Sequence, residues 1–541
     1  MALTDITQRA NNTGSGARTP TRQITLFDAL SAAQRRGSKR PRRSLLTGTG
    51  GSQENATAED GADCIENKCL KRARAEVPRL PVVSTVSALN VAHNGLAAAP
   101  SERRTPDMRC SGLYSIQAAV RARQCQPRVA MRGMSTIGRL ASLVSPADGV
   151  YRLHSGDNSH IGALPLACKY GHLAGGQAKL ALVDEGGMVS LFDTTNSQTR
   201  PVGEDDGLKP VARWRVHDNS AFDLEWSLDN TRMVTASADE TCRLWDVEQQ
   251  KLLGMFSGHT QTVRSISWRH GDQHCFSTAS RDGSIMMWDL RANKVKTGDE
   301  YVCRPVNTIS RAHFELSHPG KAPRGKGGVV AGSVTSIKHL CQDANLLASV
   351  GSTSEIVKYW DVRMCVSARA TALPTPVAAS LLPASAGRSR GTSSLSLDPD
   401  GTRLYAACND NRVYVHNALA LGSPSAQLEA PEFECSSFNI ATSMSPCGHY
   451  LAAGSASGNV VVWELDAYGR SSSGRRAVLQ GHLKEAGCVA WYPGKERTQL
   501  ATCGDDGTMR LWDIDAEQAV SARLDPMKKF RWGFADIHQE L

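Results

Sequence analysis

Three stretches of this chain repeat one set of four side chains at constant offsets, and that recurrence restricts the fold more than any other feature. His217, Thr235, Asp239 and Trp245 form the first set, His259, Thr278, Asp282 and Trp288 the second, and His482, Thr502, Asp506 and Trp512 the third. In each, the threonine lies four residues before the aspartate and the tryptophan six after it. Alternating apolar runs place the histidine before a first strand, the threonine in a second, the aspartate in a turn and the tryptophan in a third. Imidazole, hydroxyl, carboxylate and indole N–H so placed can link side chain to side chain, satisfying groups that are costly to bury unpaired. A nucleophile and its base are not needed once per repeat with tryptophan as a fourth member, so these sets are folding elements and not hydrolase triads.

Gly258-His259 followed by Trp288-Asp289 resembles one blade of a WD-repeat propeller, a unit of four strands. The expected fold is therefore all-β: a seven-bladed WD-repeat β-propeller over residues 148–515, preceded by a long disordered basic N-terminal arm (1–147) and followed by a C-terminal tail (516–541). The first blade is degenerate, with Phe192-Asp193 in place of Trp-Asp, and the sets around Trp245 and Trp288 make the second and third. In the fourth, an insertion over 314–332 cuts His313 off from strands that end at Trp360-Asp361. The fifth carries His416-Asn417 at that place, the sixth Trp463-Glu464, and the seventh is the set around Trp512. A closed ring removes exposed sheet edges, and closure requires a strand from each end of the chain in one blade. The N-terminal contribution is expected around Val150 to His154.

The net charge of +9 is uneven: residues 1–150 hold 22 Lys/Arg against 11 Asp/Glu, the remainder 40 against 42. The arm has few aromatics and no sustained periodicity, as expected of disorder. Within it, Gln23, Leu26, Phe27 and Leu30 resemble the PIP box, a peptide that docks on the sliding clamp PCNA, although Ala29 and Leu30 stand where two aromatics belong. A short amphipathic patch is the other reading. Arg35, Arg36, Lys39, Arg40, Arg42 and Arg43 read as a nuclear-import signal, since no aromatics interleave them to stack on bases. Leu113, Ile116 and Val120 fall at helical spacing, either for docking a partner or for packing beneath the propeller. Lys528-Lys529-Phe530-Arg531-Trp532 reads as the sticky end of a flexible tail.

No apolar run is long enough to cross a bilayer as a helix. The fifteen cysteines show no framework spacing, as expected of reduced thiols inside a cell. Gly320 to Gly327 mimics a phosphate-binding loop, but glycine replaces the magnesium-holding Ser/Thr, and no strand leads in. Cys64 with Cys69, and Cys447 with His449, lack a second pair at zinc spacing, so neither metal nor cofactor is expected.

Two Trp-Asp pairs are followed at the second position by arginine: Trp288, Asp289 and Arg291, and Trp360, Asp361 and Arg363. Each arginine is expected at a rim of the ring on adjacent blades, where a guanidinium fork suits bidentate pairing with a carboxylate on another protein. The run Phe276–Asp282 through Arg291 resembles the DWD box of WD-repeat substrate receptors of cullin-4 ubiquitin ligases. His217 to Trp226 and Gly283 to Asp289 resemble the denticleless family most, and the similarity covers about residues 178–515. The resemblance implies a non-catalytic nuclear receptor that docks the damaged-DNA-binding adaptor through Arg291 and Arg363. It would present PCNA-bound replication proteins for ubiquitination, with direct PCNA contact as a further implication and no membrane role. A WD-repeat scaffold in a chromatin or RNA-processing complex is the competing reading. Direct nucleic-acid binding through the arm is a third, less supported one.

Overall fold

The computed structural model describes residues 137–539 apart from 154–162, 174–177, 195–206, 293, 298–299, 317–328, 364–373, 382–389, 467, 495–496, 526–527 and 529–530. The Gln23 motif, the basic run from Arg35 to Arg43, the Leu113–Gln124 segment and the Gly320–Gly327 loop lie outside the described residues.

Within these bounds the chain is an all-β propeller of antiparallel meanders. Each blade is named here by the residue at its tryptophan position. The Phe192 blade comprises Pro165–Tyr170, Lys179–Asp184, Met188–Asp193 and Ala212–Arg215. The Trp245 blade comprises Ala221–Trp226, Arg232–Ser237, Thr241–Asp246 and Lys251–Ser257, and a hairpin of Lys294–Thr297 and Glu300–Cys303 adds to its outer edge. Val263–Trp268, Cys275–Ser280, Ile285–Asp289 and Asn307–Ile309 form the Trp288 blade. The Trp360 blade runs through Val334–His339, Leu346–Gly351, Ser354–Asp361 and Ala378–Ala379. Thr392–Leu397, Arg403–Cys408, Arg412–Asn417 and Ala426–Glu429 form the His416 blade.

These five stand as separate sheets. A ten-stranded sheet contains two further meanders, one around Trp463 (Thr442–Met444, Tyr450–Gly454, Val460–Leu465, Ser471–Gln480) and one around Trp512 (Ala486–Trp491, Leu500–Gly504, Thr508–Ile514). Segments from both ends of the chain fuse them. Val150–Arg152 completes the Trp512 blade by pairing Val150 with Arg510, at the place expected from the sequence. Leu143–Ser145 pairs with Ile514 on one side and with Phe534 on the other, and Gly533–His538 continues onto Ser471–Gln480.

Residues 137–147 and 516–538 therefore correct two expectations, because neither behaves as plain arm or tail. Asp515 caps the helix Ala516–Leu524 by accepting from Gln518 N at 2.9 Å. Ala519 and Ala522 pack on Val144 and Phe534, and Arg523 donates to the carbonyls of Ala141 and Ala535. Lys528 Nζ lies 4.8 Å from the Trp532 ring centroid and donates to Ser521, so these two residues of the basic-aromatic cluster pack together beside the helix. The insertion after His313 is also ordered at its base, where His313–Leu316 pairs with Val329–Gly332.

Inner strands are stitched around the axis by side chains that accept a backbone N–H from the next blade. Asp223 accepts from Ile266 at 2.8 Å, Ser265 from Ile337 at 3.2 Å, Ser336 from Leu395 at 3.2 Å, Ser394 from Thr442 at 3.1 Å and Ser443 from Trp491 at 3.4 Å. Cys488 Sγ then reaches Leu166 O, and Lys169 of the same first blade pairs with Asp223 at 2.7 Å. Second and third strands are buried on both faces, as Val460–Leu465 shows, because blades stack against each other. Turns tighten to match: at Gly187, with φ of +70°, a Cβ would sit 2.3 Å from His217 O.

Candidate functional site

The relay forms in full in two of the three predicted blades. His259 Nε2 lies 2.8 Å from Thr278 Oγ1, which also accepts from Trp288 Nε1 at 2.8 Å, while His259 Nδ1 meets Asp282 at 3.1 Å. His482, Thr502, Asp506 and Trp512 repeat this, with His482–Thr502 at 2.8 Å and Trp512–Thr502 at 2.9 Å. Burial opposes ionisation of Asp282 and Asp506, but the hydrogen bonds and charge of their histidines prevail and hold both carboxyls well below the usual range. Asp239 follows the same logic and is lowered to about 2.

In the Trp245 blade the fourth link is missing. His217 bonds Thr235 and Asp239 at 2.8 Å each, yet Trp245 Nε1 is buried without a hydrogen-bond partner. Thr235 turns its hydroxyl toward Arg243 O, and Trp245 packs edge-on against Trp214 with centroids 6.5 Å apart.

A further relay appears where the sequence showed a broken one. His313 Nε2 bonds Ser349 Oγ at 2.9 Å, and the same hydroxyl accepts from Trp360 Nε1 at 2.8 Å. The ribbon at the base of the insertion leaves His313 next to its blade, and serine substitutes for threonine. The signal in the sequence was Ser349 eleven residues before Trp360, one more than the Thr278–Trp288 interval.

Trp288 and Trp360 are both almost fully buried, so these indoles hold their blades together and do not face a partner. Of the residues expected to touch an adaptor, the two arginines remain exposed, with about 60% of each side chain accessible (60% for Arg291, 58% for Arg363). Their forks do not project freely, which corrects the expectation. Arg291 donates from Nε and Nη2 to the two carboxylate oxygens of Asp289, each at 2.9 Å, and its backbone N–H bonds Asp289 as well. Arg363 repeats the clamp on Asp361 at 3.0 and 2.7 Å. The hydrogen bonds from Arg291 and Arg363, first among the causes, lower the carboxyls of Asp289 and Asp361. Asp289, partly solvated, and Asp361, buried, thus act as clamps that orient the guanidinium planes.

Both arginines lie at the end of a third strand, on the face opposite the turns that carry Asp282 and Asp506. Arg269, in the first turn of the Trp288 blade, crosses to the next blade, donating to Ala344 O at 3.2 Å and to Asn345 Oδ1. It also approaches Asp272 at 3.9 Å. Arg291, Asp272, Arg269, Asp361 and Arg363 thereby form an alternating run of charge across two adjacent blades. The sequence identified Arg291, Asp361 and Arg363 but not Arg269 and Asp272, which belong to no recurring pattern.

The WD domain, G-beta repeat family model matches residues 208–246, 250–289, 430–464 and 474–513. The chain is 34% identical over 395 residues to the denticleless protein homolog of Danio rerio, covering 71% of this chain and 58% of that one. It is 33% identical over 363 residues to the Homo sapiens homolog, covering 65% and 47%. It is 32% identical over 378 residues to protein lethal(2)denticleless of Drosophila melanogaster, covering 68% and 46%. The chain spans about half the length of these curated relatives.

Proposed function

This chain is a WD-repeat protein homologous to the denticleless proteins, and from that premise we propose that it is the substrate-receptor subunit of a cullin-4 ubiquitin ligase. In this reading the two meanders of the ten-stranded sheet and the five separate blades make a closed ring of seven. One face docks the damaged-DNA-binding adaptor, and the other receives PCNA-bound replication proteins, of the licensing-factor type, in the nucleus. The subunit performs no chemistry itself; it raises the effective concentration of a substrate lysine near the charged ubiquitin-conjugating enzyme.

The observation that carries the proposal is the pair of pre-oriented guanidinium groups, Arg291 on Asp289 and Arg363 on Asp361, on adjacent blades and one face. A fork whose Nε edge is fixed by its own carboxylate presents its remaining N–H groups in a set direction, which reduces the ordering cost of binding. Affinity purification from S-phase cells tests it. The unaltered chain should co-purify the adaptor and clamp-associated substrates, and Arg291→Ala with Arg363→Ala should lose the adaptor with thermal stability unchanged. Undiminished adaptor recovery by the double variant, or a chromatin or RNA-processing complex in its place, would refute the assignment.

A further inference from the structure

Exposed charge pairs contribute little affinity on their own, and stable interfaces draw most of their energy from a few well-packed apolar or aromatic anchors. An apolar groove beside the Arg291–Arg363 rim offers such an anchor. The connection that follows Arg291 does not turn directly into the last strand of its blade. It first forms the hairpin Lys294–Thr297 and Glu300–Cys303, whose second strand lies parallel to the outer strand of the Trp245 blade, with Met255 opposite Val302 and Phe256 opposite Cys303. The hairpin thus leaves one blade and roofs the edge of another.

Between them is a groove of about 250 Å³ lined by Leu244, Leu253, Phe256, Leu290 and Tyr301, with Arg232 at its mouth. A register shift between Leu252 and Gly254 leaves Leu253 outside the ladder, and its side chain is 38% exposed. Tyr301 is 47% exposed. Leu290, which forms the floor, is the residue between Asp289 and Arg291, so groove and clamp share one turn of chain. Arg232 lies opposite Asp246 at the Trp-Asp end of its blade, which puts the groove on the same face as the arginine run. Arg232 makes no ion pair among the described residues, and Arg304, which follows the hairpin, is exposed and likewise without one. Apolar walls with the guanidinium of Arg232 beside them complement an apolar side chain next to a carboxylate.

We propose that this groove seats such a side chain of the adaptor, a leucine- or phenylalanine-sized residue on an acidic segment. It would supply the buried anchor that the arginine pair lacks. The inference rests on the adaptor-docking reading above and adds to it a specificity pocket built by the Trp288-blade hairpin.

The full chain and the purified adaptor, titrated by calorimetry or surface capture, provide the test. Leu253→Asp and Tyr301→Ser should each weaken binding by roughly tenfold or more, the loss expected on removing an anchor contact. Leu253→Met and Tyr301→Phe should bind as the unaltered chain does, since no hydrogen bond of the tyrosine hydroxyl is involved. Both groove positions are part-exposed, and matching melting temperatures would show that the blades remain intact. If Leu253→Asp binds normally while the double arginine variant does not, the groove proposal is wrong and the docking reading stands. If the unaltered chain fails to bind the adaptor at all, both are wrong.

Discussion

His313 Nε2 is held 2.9 Å from Ser349 Oγ, while Nδ1 of the same ring is buried with no hydrogen-bond partner. In the complete relays an aspartate occupies that side. Here Ser354 takes over the backbone duty of that aspartate by accepting from Ile356 N at 3.1 Å, as Asp282 accepts from Ser284 N. Its hydroxyl is too short to reach the ring as well.

Restoring the carboxylate should repair this blade. Ser354→Asp is expected to raise the unfolding free energy by about 1 kcal/mol, the value of one recovered buried hydrogen bond. It should also raise the His313 pKa. Urea unfolding midpoints and imidazole NMR titration measure the two effects, and an unchanged titration would show that the new carboxylate does not reach the ring.

Acid should destabilise the propeller through histidines that burial holds neutral, against a smaller opposing effect of Asp505, whose carboxyl burial raises to about 6. Burial lowers His313 and His339 from 6.5 to about 3 and His416 to about 4. The folded chain therefore binds fewer protons than the unfolded chain between these values and 6.5. The stability they contribute is fully present above about 6.5 and is lost as pH falls toward the folded values, by about 1.4 kcal/mol per pH unit for each histidine within the window. His416 is buried, and burial outweighs the neighbouring Gly422 backbone, so His416→Leu should flatten this dependence. Melting temperatures from pH 7.5 to 5 check the sign, and a melt that is flat over this range contradicts it.

Removing one relay hydroxyl should cost unequal amounts in two blades. Thr278 serves both His259 and Trp288, whereas Thr235 serves His217 but not Trp245. Thr278→Val leaves two buried donors or acceptors unmatched and should destabilise by about 2–4 kcal/mol, Thr235→Val by about 1–2 kcal/mol. Paired denaturant titrations decide this, and equal losses would count against the incomplete relay.

Phe534 is buried against Val144, Ala519 and Ala522 where strands from both chain ends meet. Phe534→Ala should destabilise by about 3–5 kcal/mol, as for other buried aromatics. It should also release residues around Leu143 to protease while the Trp288 blade stays protected. Limited proteolysis with mass mapping distinguishes local release from global unfolding.

The parts legible in the sequence were those fixed by strong local geometry. The Thr–Asp–Trp intervals located three blades, and the need for closure pointed to Val150 as a pairing segment. The axial stitch was not anticipated, because serines in short strands look like ordinary exposed positions. Yet Ser265-Ile266, Ser336-Ile337 and Ser394-Leu395 do recur at one place in the inner strand. The helix Ala516–Leu524 was missed for a different reason: its burial depends on Val144, far earlier in the chain. The arginines were located, but their clamping by Asp289 and Asp361 depended on side-chain conformations that sequence does not encode.

The fused ten-stranded sheet also governs when the molecule can finish folding. Leu143–Ser145 and Val150–Arg152 are made more than 350 residues before their partners, Thr508–Ile514 and Gly533–His538. The first strands must wait with open hydrogen-bonding edges while the blades between them and their partners are made, as expected where contacts are so distant in sequence. A nascent chain stalled before Thr508 would hold several finished blades and an unclosed ring, a form suited to recognition by chaperones.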